Sequence, residues 1–312
     1  YGHSDYSISQ AMDAIVVEKQ QDLWFKSSIY ADTDGCVITF EDIIDADLPL
    51  PKQLDLVEKE IKDLNTFIID AVDQIYPFFN KGEYMRLMKF KEDWVADKGL
   101  FYDSVHKRYA LHIVRENGKD KDELFFRGIQ IRSASTPRIV KDGLSELLDI
   151  VLRKKSFNID ELFEKIEEIE NKLYESCESG SLAMGKSVKY GKVLSTYKKP
   201  PYQVLAMELW NALHKREDFK VASKGLFFEI QHIDFYRLMD EYSLTEDEIN
   251  TIEKNFKRNG IVIPQDQEKV PDYITINAKL TVEKRFIVPY TSILGPIIEQ
   301  SSVSDMAIID FL

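Results

Sequence analysis

Apolar residues along the chain fall into two periods. Leu56, Ile61, Leu64, Ile68, Ile69, Val72 and Ile75 recur at helical spacing, which predicts one long helix over residues 54–79 with an acidic outer face. Upstream, residues 27–30 and 36–40 read as short strands. Between them lies Asp32-Thr33-Asp34-Gly35, whose Asp-Gly step suits a tight hairpin. Residues 84–95 are mixed and strand-like. Residues 107–115 alternate: Tyr109, Leu111 and Ile113 share one face, and Arg108, Ala110, His112 and Val114 the other. Asn117-Gly118 then has the chemistry of a type I′ turn, with residues 124–131 as the return strand.

The pattern turns helical after this hairpin. Thr136-Pro137 reads as an N-cap with Pro at the first helical position, followed by Val140, Leu144, Leu147, Leu148 and Val151. Asn158 with Glu161 resembles a capping box, ahead of a helix that buries Ile159, Leu162, Phe163, Ile166, Ile169 and Leu173. Pro200-Pro201 opens a helix through Leu213. Thr245 and Glu248 cap another, predicted to end at Asn259-Gly260 behind Lys254, Lys257 and Arg258. Strands are predicted at 225–230 and 273–276. The fold class is therefore α+β, with a β-rich part over 1–135, a mostly helical part over 136–299 and a tail over 300–312.

Composition narrows the function classes. The 312 residues suggest two domains, and 44% hydrophobic with 30% charged residues is the balance of a globular chain. The net charge of −13 argues against indiscriminate coating of nucleic acid. Its distribution says more. Residues 41–78 carry ten acids and three bases, whereas 184–224 carry nine bases and three acids, a local +6. Residues 101–141 carry nine bases and five acids. Such stretches suit contact with a polyanion along a defined track, and equally a solvated lysine-rich surface. Two cysteines, Cys36 and Cys177, are too few for a disulfide framework, so a reducing cytoplasm is the default. The apolar stretch 286–298 holds 13 residues and two prolines and is too short to span a bilayer.

Asp32 and Asp34 would share a face of an extended segment, where two carboxylates repel unless a cation lies between them. Mg²⁺, a hard oxygen-seeking ion, is the natural partner. The same four residues also make an ordinary turn. The run Ser28-Ile29-Tyr30-Ala31-Asp32-Thr33-Asp34-Gly35 resembles motif C of the family B DNA polymerases, with Ala31 in place of the usual Gly and Gly35 in place of the usual Ser. Val105-His106-Lys107-Arg108-Tyr109 resembles the family's Lys-Lys-Arg-Tyr signature, with His106 standing where the first Lys usually is. Phe126 to Arg138 resembles the palm-to-thumb junction. Ser187-Val188-Lys189-Tyr190-Gly191 and the Pro200-Pro201 helix resemble thumb elements. The tail, with Met306, Ile309, Phe311 and Leu312, is similar to the apolar C-terminal peptide by which phage replicative members dock on a sliding clamp.

The resemblance implies half of a polymerase palm, an antiparallel sheet with helices, followed by a thumb. It implies two Mg²⁺ ions, or Mn²⁺, held by Asp32 and Asp34 as catalytic carboxylates. Primer–template DNA would be gripped by His106, Lys107, Arg108 and Tyr109 and followed by Lys186, Lys189 and Tyr190. A dNTP would be the substrate, in the cytoplasm of the host cell if phage-encoded. No stretch matches the family's upstream carboxylate motif, nucleotide-binding helix or exonuclease, so activity would need an N-terminal part, with this chain a split subunit or a fragment. Asp93 aligns with an acid that the family places near the metals. Two other classes remain. A nucleotide-sugar glycosyltransferase also uses Asp-x-Asp with a metal, and a non-catalytic DNA-binding or clamp-adaptor subunit would keep the fold alone.

Overall fold

The computed structural model describes residues 28–31, 36–40, 43–45, 47–75, 92–101, 108–154, 158–256 and 259–301. Both helices and antiparallel sheets are present, as the α+β expectation requires. The chain divides into two units, one built mainly from residues up to Phe125 and the other mainly from Phe126 onward.

In the first unit, β1 (Ser28–Ala31) and β2 (Cys36–Ile38) pair antiparallel, Ala31 opposite Cys36. Helix α1 (Leu50–Ile75) starts four residues before the predicted point and buries Leu54 and Val57, with Leu56 and Ile61 at the margin. A three-stranded sheet follows: β3 (Trp94–Phe101), β4 (Tyr109–Glu116) and β5 (Lys119–Arg127), with β4 central. The predicted alternation in β4 holds. Tyr109, Leu111 and Ile113 pack with Trp94, Phe101 and Phe125, while Val114 packs with Val95, Ile44, Leu54 and Val57. Asn117 and Gly118 have φ of 51° and 74°, the left-handed pair that a type I′ turn demands. The return strand begins at Lys119, five residues earlier than the apolar pattern suggests, because the polar run 119–123 is an exposed edge.

The second unit opens with α2 (Arg138–Arg153). Thr136 does not cap it: its hydroxyl donates to the Gln130 carbonyl at 2.9 Å, and Pro137 occupies the N-cap position. The buried face of α2 includes Val140, Leu144, Leu147, Leu148 and Val151 as predicted. At Gly143 an added Cβ would lie 2.7 Å from the side chain of Ile169 on α3 (Ile159–Glu178), so that side chain packs directly on the backbone of α2. Asn158 caps α3 by accepting from the Asp160 amide, but Glu161 pairs with Lys154 instead of closing a box. Phe163, predicted to be buried, is 48% exposed.

A sheet lies within the part expected to be mostly helical. Its strands β6 (Lys186–Lys189), β7 (Lys224–Ile233) and β8 (Gly260–Pro264) pair antiparallel in that order, and β9 (Ile274–Ile276) pairs with the far end of β7. Helix α4 (Tyr202–His214) packs on β8. Helix α5 (Phe235–Tyr242) follows β7, and α6 (Glu246–Asn255) carries the predicted Thr245–Glu248 capping box. Helix α6 stops five residues short of Gly260, which instead opens β8 opposite Glu229. A side chain at Gly260 would sit 2.3 Å from the Phe227 ring, so glycine is needed there for close approach and not for a helix end. Last come α7 (Ala278–Val282), a π-helical turn (Glu283–Ile287) and α8 (Val288–Ser301). Among the described residues, Trp210, Phe228 and Phe286 are the largest fully buried side chains. No described helix is long and apolar enough to cross a membrane.

Candidate metal and nucleic-acid site

Asp32 and Asp34 lie outside the described residues. The strands on either side of Asp32-Thr33-Asp34-Gly35 are paired up to Ala31 and Cys36. An oxygen-only donor set of two carboxylates suits a hard divalent ion and not a soft one. Among the described residues, no group of three or more His, Cys, Asp and Glu side chains is placed to hold a metal. Asp93 is exposed, and its carbonyl accepts from the Asn117 amide at 3.0 Å.

His106 and Lys107 also lie outside the described residues. Arg108 precedes β4 and donates through Nη2 to Ser292 Oγ at 3.3 Å. Tyr109 turns inward: it is 3% exposed and its ring stacks on Phe101 and Phe125 with centroids 5.5 and 6.1 Å away. Its ring is therefore packed into the core of the first sheet.

On the second unit, Lys186 and Lys189 sit exposed at the two ends of edge strand β6. Tyr190 is turned inward. It is 4% exposed, and its hydroxyl donates to the half-buried Glu208. Burial, reinforced by that carboxylate, pushes its phenol up to about 12, so it stays a neutral donor. Tyr190 anchors the end of β6. Beside it opens a cavity of about 490 Å³ lined by Leu194, Glu208, Asn211, Arg216 and Lys220. All nine bases of the +6 stretch are exposed. Lys215 is held by Glu248 at 2.9 Å and Arg216 by Asp218 at 3.1 Å, while the other seven pair with no acid among the described residues. Exposed cations without internal partners keep their charge available to an outside polyanion.

Three buried polar arrangements were not foreseen from the sequence. Glu229 accepts from Arg285 at 2.5 Å, and the same guanidinium reaches the Phe227 carbonyl at 2.8 Å. His214 lies between the Trp210 carbonyl and the Tyr273 hydroxyl, at 2.7 and 2.6 Å. His112 lies between Asp97 and Asp122. A parity rule places His112 on one face of β4, but only the folded sheet shows which acids flank it. Met306, Ile309, Phe311 and Leu312 lie outside the described residues. Comparisons with protein-family models and with curated proteins found no match to this chain.

Proposed function

We propose that the chain is the C-terminal part of a DNA-directed DNA polymerase resembling the family B enzymes of phage replicative type. It would work with an N-terminal part that supplies the other palm carboxylate, the nucleotide-binding helix and the exonuclease. One observation carries this reading: three motifs occur in the required order in a single chain. They are Asp-Thr-Asp between two paired strands, Lys-Arg-Tyr at the start of β4, and Ser-Thr-Pro ahead of α2.

Asp32 and Asp34 would hold Mg²⁺, or Mn²⁺, through their carboxylate oxygens. When bound, the metal supplies charge neutralisation for the triphosphate and a more acidic primer 3′-hydroxyl. Lys107 and Arg108 would neutralise phosphates near the primer end, and Lys186 and Lys189 would extend that contact along the product duplex. Such contacts position DNA of any sequence, which suits a template-directed enzyme. Met306, Ile309, Phe311 and Leu312 would dock on a sliding clamp.

The test is primer extension by the chain reconstituted with its N-terminal part. Asp34→Asn should lower extension by about 10²–10³-fold, the order of loss when one charge-stabilising group is removed, while duplex affinity stays within about threefold. Full activity in the variant refutes the metal assignment. Binding of a UDP-sugar with Mn²⁺ and no affinity for primer–template would instead point to a glycosyltransferase. Duplex binding with no extension in any reconstitution would point to an adaptor.

A further inference from the structure

His112 sits on the central strand of the first sheet with an acid on either side. Its Nδ1 is 2.6 Å from Asp97 Oδ1 on β3, and its Nε2 is 2.7 Å from Asp122 Oδ1 on β5. The imidazole is almost enclosed, Asp97 is partly covered and Asp122 faces water. Asp97 reaches the ring because β3 slips register around it. Val95 pairs with Arg115, Ala96 with Ile113 and Lys98 with His112, so Val114 on β4 and then Asp97 on β3 are each passed over in two compensating shifts, an irregularity of the kind that re-aims side chains.

A carboxylate has no proton to donate, so each short contact needs an N–H from the ring. A neutral imidazole has only one. His214 shows the neutral pattern in the same molecule: one ring nitrogen faces a carbonyl, and the other faces a hydroxyl that can donate to it. A shared metal is excluded by the geometry of the three groups, because carboxylates on opposite ring nitrogens cannot converge on one ion.

We propose that His112 carries a proton on both nitrogens and acts as a proton-dependent clasp across β3, β4 and β5, releasing β5 when one proton leaves. Lys98 on β3 adds a positive charge near Asp97, while Arg115 on β4 lies 3.8 Å from Asp120 of β5 and also acts on Glu58 of α1. Burial pushes the Asp97 carboxyl up, and His112 and Lys98 offset that only in part. Of the two straps, the one to Asp97 is drier. A neutral ring would keep its N–H toward Asp97 and turn a lone pair toward Asp122, two acceptors face to face. This clasp is independent of the polymerase reading.

The experiment uses the full chain with ¹⁵N-labelled histidine. Both His112 nitrogens should report as protonated at neutral pH. As His112 loses its proton on raising the pH, amide protection factors in β5 should fall about tenfold, the loss expected for one charge-assisted hydrogen bond. Asp122→Asn is the discriminating variant, because its amide can donate to the lone pair of a neutral ring. In that variant β5 protection should no longer change through the titration. One unprotonated nitrogen in the folded chain at neutral pH overturns the proposal. So does an unchanged pH dependence in Asp122→Asn.

Discussion

Glu229, Arg285 and His214 are buried polar residues with specific partners, and the partner decides what substitution does. Glu229 and Arg285 neutralise each other where neither can reach water freely. Glu229→Ala strands a buried guanidinium and should cost about 3–5 kcal/mol in chemical denaturation, whereas Glu229→Leu together with Arg285→Met should recover most of that loss. His214 behaves oppositely to a surface imidazole. Burial holds it below its ordinary value, so it folds neutral. Its contribution is complete above the ordinary imidazole value and is lost as the pH falls below it toward the folded value. The NMR titration of its ring should therefore track an acid-induced loss of stability in the second unit. Tyr109 and Tyr190 show where residue-level reading stops. A tyrosine beside lysines suggests nucleic acid, but burial depends on aromatic neighbours such as Phe125 or an acid such as Glu208, which are distant in sequence.

At the scale of elements, α6 offers the sharpest test. Glu248 accepts from the Thr245 amide and from Lys215, and these donors hold its carboxyl down at about 2. The stabilisation is present above the ordinary carboxylate value and disappears as the pH falls through about 2. Amide exchange in the first turn of α6 should quicken over that window. Thr245→Ala should cost about 1 kcal/mol and speed the same amides at neutral pH. This capping box was legible because its signal is local. The β4–β5 turn was legible for the same reason, since Asn117-Gly118 satisfies a conformation that few other pairs adopt. Two elements misled. The bases before Gly260 mimic a helix end, although Gly260 is there because the Phe227 ring leaves no room for a side chain. Strand β5 begins with five exposed polar residues and so lacks the alternation that marks a half-buried strand. The register shift at Asp97 hides the His112 clasp in a similar way, because parity along β3 fails at that residue.

For the whole molecule, an acidic chain presents on one stretch seven exposed bases that pair with no acid among the described residues. If they follow a duplex, binding must weaken steeply with salt. Lys186→Glu with Lys189→Glu should lower the slope of log affinity against log salt by about 2, since each phosphate contact contributes about 0.9. Measurement by fluorescence anisotropy between low and physiological salt would show it, and a slope unchanged from wild type would remove β6 from the interface. Strand β7 has a consequence for how the chain is made. It is the common partner of β6, β8 and β9, yet β8 lies beyond two intervening helices. On the ribosome, at about 5–20 residues per second, Leu226 to Glu229 must wait a few seconds for β8. In that interval this apolar ribbon is the part of the nascent polypeptide most in need of a chaperone.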